Sequence, residues 1–481
     1  MLFNSYQFLI FFPIVTAAYF LFPQKYKWLL LLIASCIFYM AFIPKYILVL
    51  AALIVIDYTA GILIEKSQNR WRQIFLIVSI SANIGLLALF KYFNFFTSNI
   101  DQVASFLHIQ FQPTYFSLIL PLGLSFHTFQ SLSYVIEVYK KKYKAEKHLG
   151  IYALYVMFYP QLVSGPIERP QHLIHQFYKK NTFKYQRFIT GLRLILWGLL
   201  KKMVIADRLG LFVDQIYANP THHSGLFLIM ATIFFSIQIY CDFSGYTDIA
   251  IGSAKVMGFK LVPNFNSPYL SKSIVDFWRR WHMSLTSWFR DYVYIPLGGN
   301  RVKQYRHYIN LMVLFLLSGF WHGANWNFIF WGLLHGTYVI IYFLTVSIRK
   351  RFLIWSGLHK LSMLRNLAEI TTTFTLVTFA WIFFRASNLH EAFYIISHLF
   401  SGLKRDISPL LHSSNFTESF LLLSAFILFI WFIRVYKKTD GFITYLSTQP
   451  TLIRWAVYSI LALLIMNRGV TTEVPFIYFQ F

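Results

Sequence analysis

Charge is scarce in this sequence: 13% of its 481 residues are Asp, Glu, Lys or Arg, where a globular chain carries about 25%. With 57% apolar residues, a water-facing surface would lack polar groups to cover it, so lipid must solvate much of the molecule. Acidic residues are the rarest part of that charge, 18 against 43 Lys and Arg. A basic excess in such a chain marks loops on the anionic, cytoplasmic face of a bilayer. No nucleic-acid partner is expected, because the basic residues are scattered between apolar runs instead of gathered on one wet face. Cysteine is nearly absent as well. Cys36 and Cys241 stand in apolar stretches without a second thiol or a histidine at ligand spacing, so they read as packing residues and no metal site is expected. Walker and dinucleotide loops are missing, and Gly123-Leu124-Ser125-Phe126-His127 lacks the second glycine of a nucleophile elbow. The opening MLFNSYQ has no basic residue and no small-residue cleavage pattern follows, so the first apolar run is expected to stay in place.

What the chain has instead is long apolar runs. Stretches near 8–23, 28–43, 46–64, 74–95, 115–136, 226–257, 327–346, 367–384, 420–436 and 452–466 approach the roughly 17–25 residues of a helical span. Shorter or amphipathic runs at 151–163, 188–206 and 308–320 fit tilted, re-entrant or buried helices. The expectation is an all-α, polytopic integral membrane protein of about eleven transmembrane helices plus re-entrant and interfacial pieces, with residues 1–481 as one domain. Residues 97–114 hold no Lys or Arg, whereas Lys140, Lys141, Lys142, Lys144 and Lys147 crowd the next loop. Counting from that loop places Arg349, Lys350 and Arg351 inside with it, and both termini outside.

Three textures interrupt the apolar background. The first, Tyr159-Pro160-Gln161-Leu162-Val163-Ser164-Gly165-Pro166-Ile167-Glu168-Arg169-Pro170, stops a helix and reads as either a re-entrant loop or a helix-ending turn. The second runs from Asp242-Phe243-Ser244-Gly245-Tyr246-Thr247-Asp248 through Pro263–Tyr269 to Asp276-Phe277-Trp278-Arg279-Arg280-Trp281-His282. Carboxylates inside an apolar run should face a cavity or a cation. On a continuous helix, Asp276 would pair with Arg279 or Arg280 while Trp278 and His282 share a face; the alternative is an interfacial Trp/Arg anchor with a satisfied histidine. The third, Ser318-Gly319-Phe320-Trp321-His322-Gly323-Ala324-Asn325-Trp326, places a histidine between glycines at membrane depth. Desolvation would keep the His322 imidazole neutral and suited to general base work, with Asn325 offering an amide for orientation or for a developing oxyanion. His335, four residues after Trp331, reads as a packed core histidine.

The stretches YPQLVSGPIERP, DFSGYTDIAIG, FNSPYLSKSIVDFWRRWHMSLTSWFRDYVYIPLGGNR, SGFWHGANWNFIFWGLLHG and FIYFQF run in that order through the chain from Tyr159 to Phe481. In them it resembles the membrane-bound O-acyltransferases, and specifically the bacterial branch concerned with O-acetylation of alginate and peptidoglycan. That resemblance implies a membrane acetyltransferase of the cytoplasmic (inner) membrane, with His322 at the family's invariant histidine and His282 at its earlier polar position. It implies acetyl-CoA as cytoplasmic acyl donor with no tightly bound cofactor, a cell-envelope polysaccharide as acceptor, and a separate extracytoplasmic O-acetyltransferase as partner. Trp278, Trp281, Arg279, Arg280, Asn325, Asp242, Ser244 and Tyr246 are then the expected substrate-binding residues. The basic segments 169–208, which include Lys201 and Lys202, and 279–306 are expected to hold the donor's phosphates. An acetyl-histidine relay competes with direct transfer. A carrier exporting an anionic or lipid-linked envelope precursor is the alternative function.

Overall fold

The computed structural model describes residues 1–117, 120–121, 123–162, 165–223, 225–357, 359–437, 442–470 and 474–479. Among them every regular element is a helix, as a lipid-solvated chain requires, because a helix satisfies its backbone N–H and C=O groups internally. Among the described residues six helices are long and apolar enough to cross a membrane: Tyr46–Lys66, Asn69–Phe106, Gly225–Met257, Trp326–Leu344, Ser362–Arg385 and Thr451–Arg468. Tyr6–Leu21 and Ser414–Leu428 are shorter apolar helices. The protein is therefore all-α and polytopic.

Three runs differ from their sequence outline. The 74–95 run lies inside one continuous helix, Asn69–Phe106, with a wider π-helical turn at Ala88–Tyr92. The 115–136 run is helical only over Leu124–Tyr139. Gly123, at φ +73°, lies in the left-handed region that glycine adopts freely and starts the helix late; residues 118, 119 and 122 lie outside the described residues. The 308–320 run extends to a full helix, Gln304–His322.

The chain forms two compact units, Met1–Ile195 with Ile249–Val262, and Leu196–Asp248 with Pro263–Phe481. In the first, Tyr134, Tyr152, Tyr155, Phe158 and Tyr159 are all fully buried. Tyr159–Leu162 is a single helical turn, and Pro170 opens the helix Pro170–Phe177, where its missing N–H leaves no bond unmade. Between them Glu168 is buried, accepts the Val262 N–H at 2.6 Å and lies 2.6 Å from the His172 Nδ1. The described part of this stretch is thus a buried loop held by side chains, not a surface turn. Val163 and Ser164 lie outside the described residues.

The second unit holds both histidine motifs. Gln304–His322 and Trp326–Leu344 form a hairpin with backbones in contact: a Cβ on Gly319 would stand 2.2 Å from the Phe328 carbonyl oxygen, and one on Gly332 2.4 Å from that of Phe315. Only a residue without a side chain permits this approach. The crossing fixes where the first helix ends, at His322.

Candidate active site

The helix Gln304–His322 stops where Gly323 turns to extended backbone. Its last side chain, His322, is 5% exposed. Rings enclose it: Trp331 at 5.1 Å between centroids, Phe384 at 5.2 Å and Tyr478 at 5.4 Å.

His282 borders the same aromatic cluster from a different element. A continuous helix through Trp278 and His282 does not form. The helix Ile274–Arg280 ends, Trp281 is extended, and His282 sits at φ +42°, ψ +54° before Met283–Phe289 begins. Such a conformation in a non-glycine residue stores about 1–3 kcal/mol and persists only when neighbours enforce it. Asn264 does so: its carbonyl accepts the Met283 N–H at 2.9 Å, and its Oδ1 accepts the Ser284 hydroxyl at 2.6 Å. The turn points the His282 ring at Phe243, 4.6 Å away, and Phe243 lies 4.9 Å from Tyr478. Burial pushes the His282 imidazole down to about 3, so it is neutral near pH 7. Tyr478 was visible in the sequence only as part of the terminal FIYFQF; its place beside His322 depends on a contact across more than one hundred and fifty residues, which no local pattern reports.

Several of the expected substrate residues have partners within the protein. Lys202 Nζ stands 2.6 Å from Asp242 Oδ1 and 2.7 Å from Asp207 Oδ1, while Lys201 Nζ lies 2.7 Å from Asp248 Oδ2 and donates to Ser244 Oγ at 2.9 Å. Both lysines are buried; they do not form a basic surface for donor phosphates. The cause is the pair of carboxylates on Gly225–Met257, which at this depth require cations. Burial works against the Lys202 ammonium, yet Asp242 and Asp207 together hold it above its ordinary pKa. Tyr246 lies under Lys202, 5.3 Å from its ring centroid, and packs on Phe476 at 4.9 Å. Asn325 caps Trp326–Leu344: its Oδ1 accepts the Asn327 N–H at 3.0 Å and its Nδ2 donates to the Ser387 carbonyl at 3.1 Å. Trp281 is a core residue, 5.4 Å from Phe277 and 5.2 Å from Trp381. Arg280 pairs with Asp276 at 2.9 Å, one of the two pairings that the spacing allows.

Arg279 and Trp278 line a cavity of about 270 Å³ together with Arg290, Tyr294, Leu311 and Ser318. Most of its wall is apolar, and both arginines are exposed. Ser318 lies one helical turn before His322. Trp278 touches Trp331 at 5.7 Å, and Trp331 touches His322. The cavity is therefore separated from the histidine by one layer of side chains. Trp278 also donates its indole N–H to His335 Nδ1 at 3.3 Å, and Trp331 packs on His335 at 4.7 Å, as expected of a core histidine.

Comparison with known proteins places the sequence in a family. Residues 148–355, which hold both histidine motifs, match the family described as MBOAT, membrane-bound O-acyltransferase. A probable alginate O-acetylase AlgI from Pseudomonas aeruginosa is 38% identical over 407 residues, covering 83% of this chain and 75% of its own. A peptidoglycan O-acetyltransferase from Helicobacter pylori is also 38% identical, over 78% of this chain and 73% of its own. A teichoic acid D-alanyltransferase from Bacillus subtilis is 30% identical over 57% and 71%.

Proposed function

Because the chain belongs to the membrane-bound O-acyltransferase family, we propose that this O-acyltransferase moves acetyl groups from cytoplasmic acetyl-CoA to hydroxyls of an extracytoplasmic polysaccharide. The relatives named for alginate and peptidoglycan acetylation support an acceptor of that class. An inner-membrane location, with both termini outside and a separate exported transferase as partner, completes the proposal. The exporter alternative yields to the family assignment.

The observation that carries this reading is the position of His322, buried among aromatic rings one turn beyond a cavity with two exposed arginines. In the proposed reaction the donor's phosphates meet Arg279 and Arg290 while its thioester arm lies along the apolar wall toward Ser318. His322 takes the proton from the acceptor hydroxyl as its oxygen attacks the thioester carbonyl. The C–S bond breaks, the acetyl group becomes an ester, and the proton passes from the imidazolium to the CoA sulfur. His282, neutral and fixed by its turn, bounds the aromatic cluster beside the reacting groups and orients them.

The test is His322→Ala in a host that lacks this activity, with ester-linked acetate on envelope polysaccharide as the readout. At matched protein level in the membrane, acetylation should fall by about 10²–10⁴-fold, the usual contribution of a general base. Near-wild-type acetate from the variant would remove His322 from the chemistry.

A further inference from the structure

A buried ion cluster in the second unit is joined to the segment that covers His322. Lys202 lies between two carboxylates, Asp207 at 2.7 Å and Asp242 at 2.6 Å, with all three side chains at most 3% exposed. Asp242 uses its other oxygen to accept the backbone N–H of Ile477 at 2.8 Å. The next residue, Tyr478, lies 5.4 Å from the His322 ring and 4.9 Å from Phe243, which in turn contacts His282. Phe476, the residue before, packs on Tyr246 and Phe243 at 4.9 and 5.1 Å. A second tie reaches the same π-helical turn that carries Lys202: the Val470 N–H donates to the Met203 carbonyl at 3.1 Å.

We propose that Lys202, acting through Asp242, positions residues 474–479 against His322, so that this pair consists of positioning residues and not substrate ligands. One carboxylate oxygen holds the backbone amide of the segment. The other is held by the ammonium, which Asp207 holds in turn. Truncating Asp242 would free the segment at the residue adjacent to Tyr478, and truncating Lys202 would leave Asp242 buried without its cation, which favours reorientation of the carboxyl away from Ile477. The wall of aromatic rings around His322 would then lose one side. The Lys201–Asp248 pair lies next to this cluster, with Lys201 also donating to Ser244 Oγ, and serves as the internal control.

The proposal rests on the transferase reading only for its consequence in catalysis. Hydrogen exchange of full-length protein in lipid nanodiscs, followed by mass spectrometry without any substrate, tests the positioning itself. Asp242→Ala and Lys202→Met should each speed exchange of the peptide containing Ile477 at least tenfold, with other peptides of the second unit unchanged, whereas Asp248→Asn should leave that peptide near wild type. In acetyl-transfer assays the first two variants should lower kcat with little change in the KM for acetyl-CoA, and Asp242→Glu should restore part of both readouts. Unchanged exchange at Ile477 in Asp242→Ala would overturn the proposal, as would a rise spread evenly over the unit. The exchange result stands even if acetyl-CoA proves to be the wrong donor.

Discussion

At the residue scale, sequence position and chemical task separate most clearly in the polar side chains. His322 and His282 stand out in the sequence because an ionisable ring in an apolar run is rarely idle, and both are buried. Lys201 and Lys202 do not, since their carboxylate partners Asp248 and Asp242 sit forty or more positions away on another helix. Reading them as surface charge followed composition, and the buried pairs reverse it. Asn325 carried a signal that was available: Asn before an apolar helical run is a strong N-cap, and its amide is engaged in that role. Asn325→Ala should therefore lower stability by about 0.5–2 kcal/mol while leaving the acetyl-CoA KM unchanged. Thermal unfolding of the purified variant, paired with transfer kinetics, checks this. Loss of transfer at full stability would return Asn325 to the reacting groups.

At the scale of elements, the glycines at the hairpin crossing do as much for the site as any titratable group. Gly319 and Gly332 bring Gln304–His322 and Trp326–Leu344 into backbone contact, and that contact determines where His322 emerges. Close approach through glycine could be anticipated from the SGFWHG pattern. The break between Arg280 and Met283 could not, because the residues around it have ordinary helical preferences and the turn is imposed by Asn264 from an earlier loop. Gly319→Leu should force the helices apart, since even a Cβ meets the Phe328 carbonyl at 2.2 Å. The expected result is loss of acetylation together with a lower melting temperature, whereas Gly85→Ala, inside the helix Asn69–Phe106 and with nothing within 4 Å of the added carbon, should affect neither strongly. Wild-type activity and melting in Gly319→Leu would show that the crossing does not set the position of His322.

At the scale of the whole molecule, the composition established the solvent, and the solvent established the fold class: few charges, many apolar residues and internally bonded helices follow from one another. Orientation and direction of transfer rest on the distribution of Lys and Arg, with Lys142 in the basic loop and Gln102 in the segment without any. The measurement that bears most directly on the account is vectorial transfer in proteoliposomes containing protein oriented with Lys142 outward. Acetyl-CoA labelled in its acetyl group is added outside, and the acceptor polysaccharide with its partner transferase is enclosed. The account predicts labelled ester in the lumen with an equal amount of CoA thiol released outside, and neither product with His322→Ala. Label confined to acceptor on the donor's own side, or ester formation by the His322→Ala protein, would contradict it.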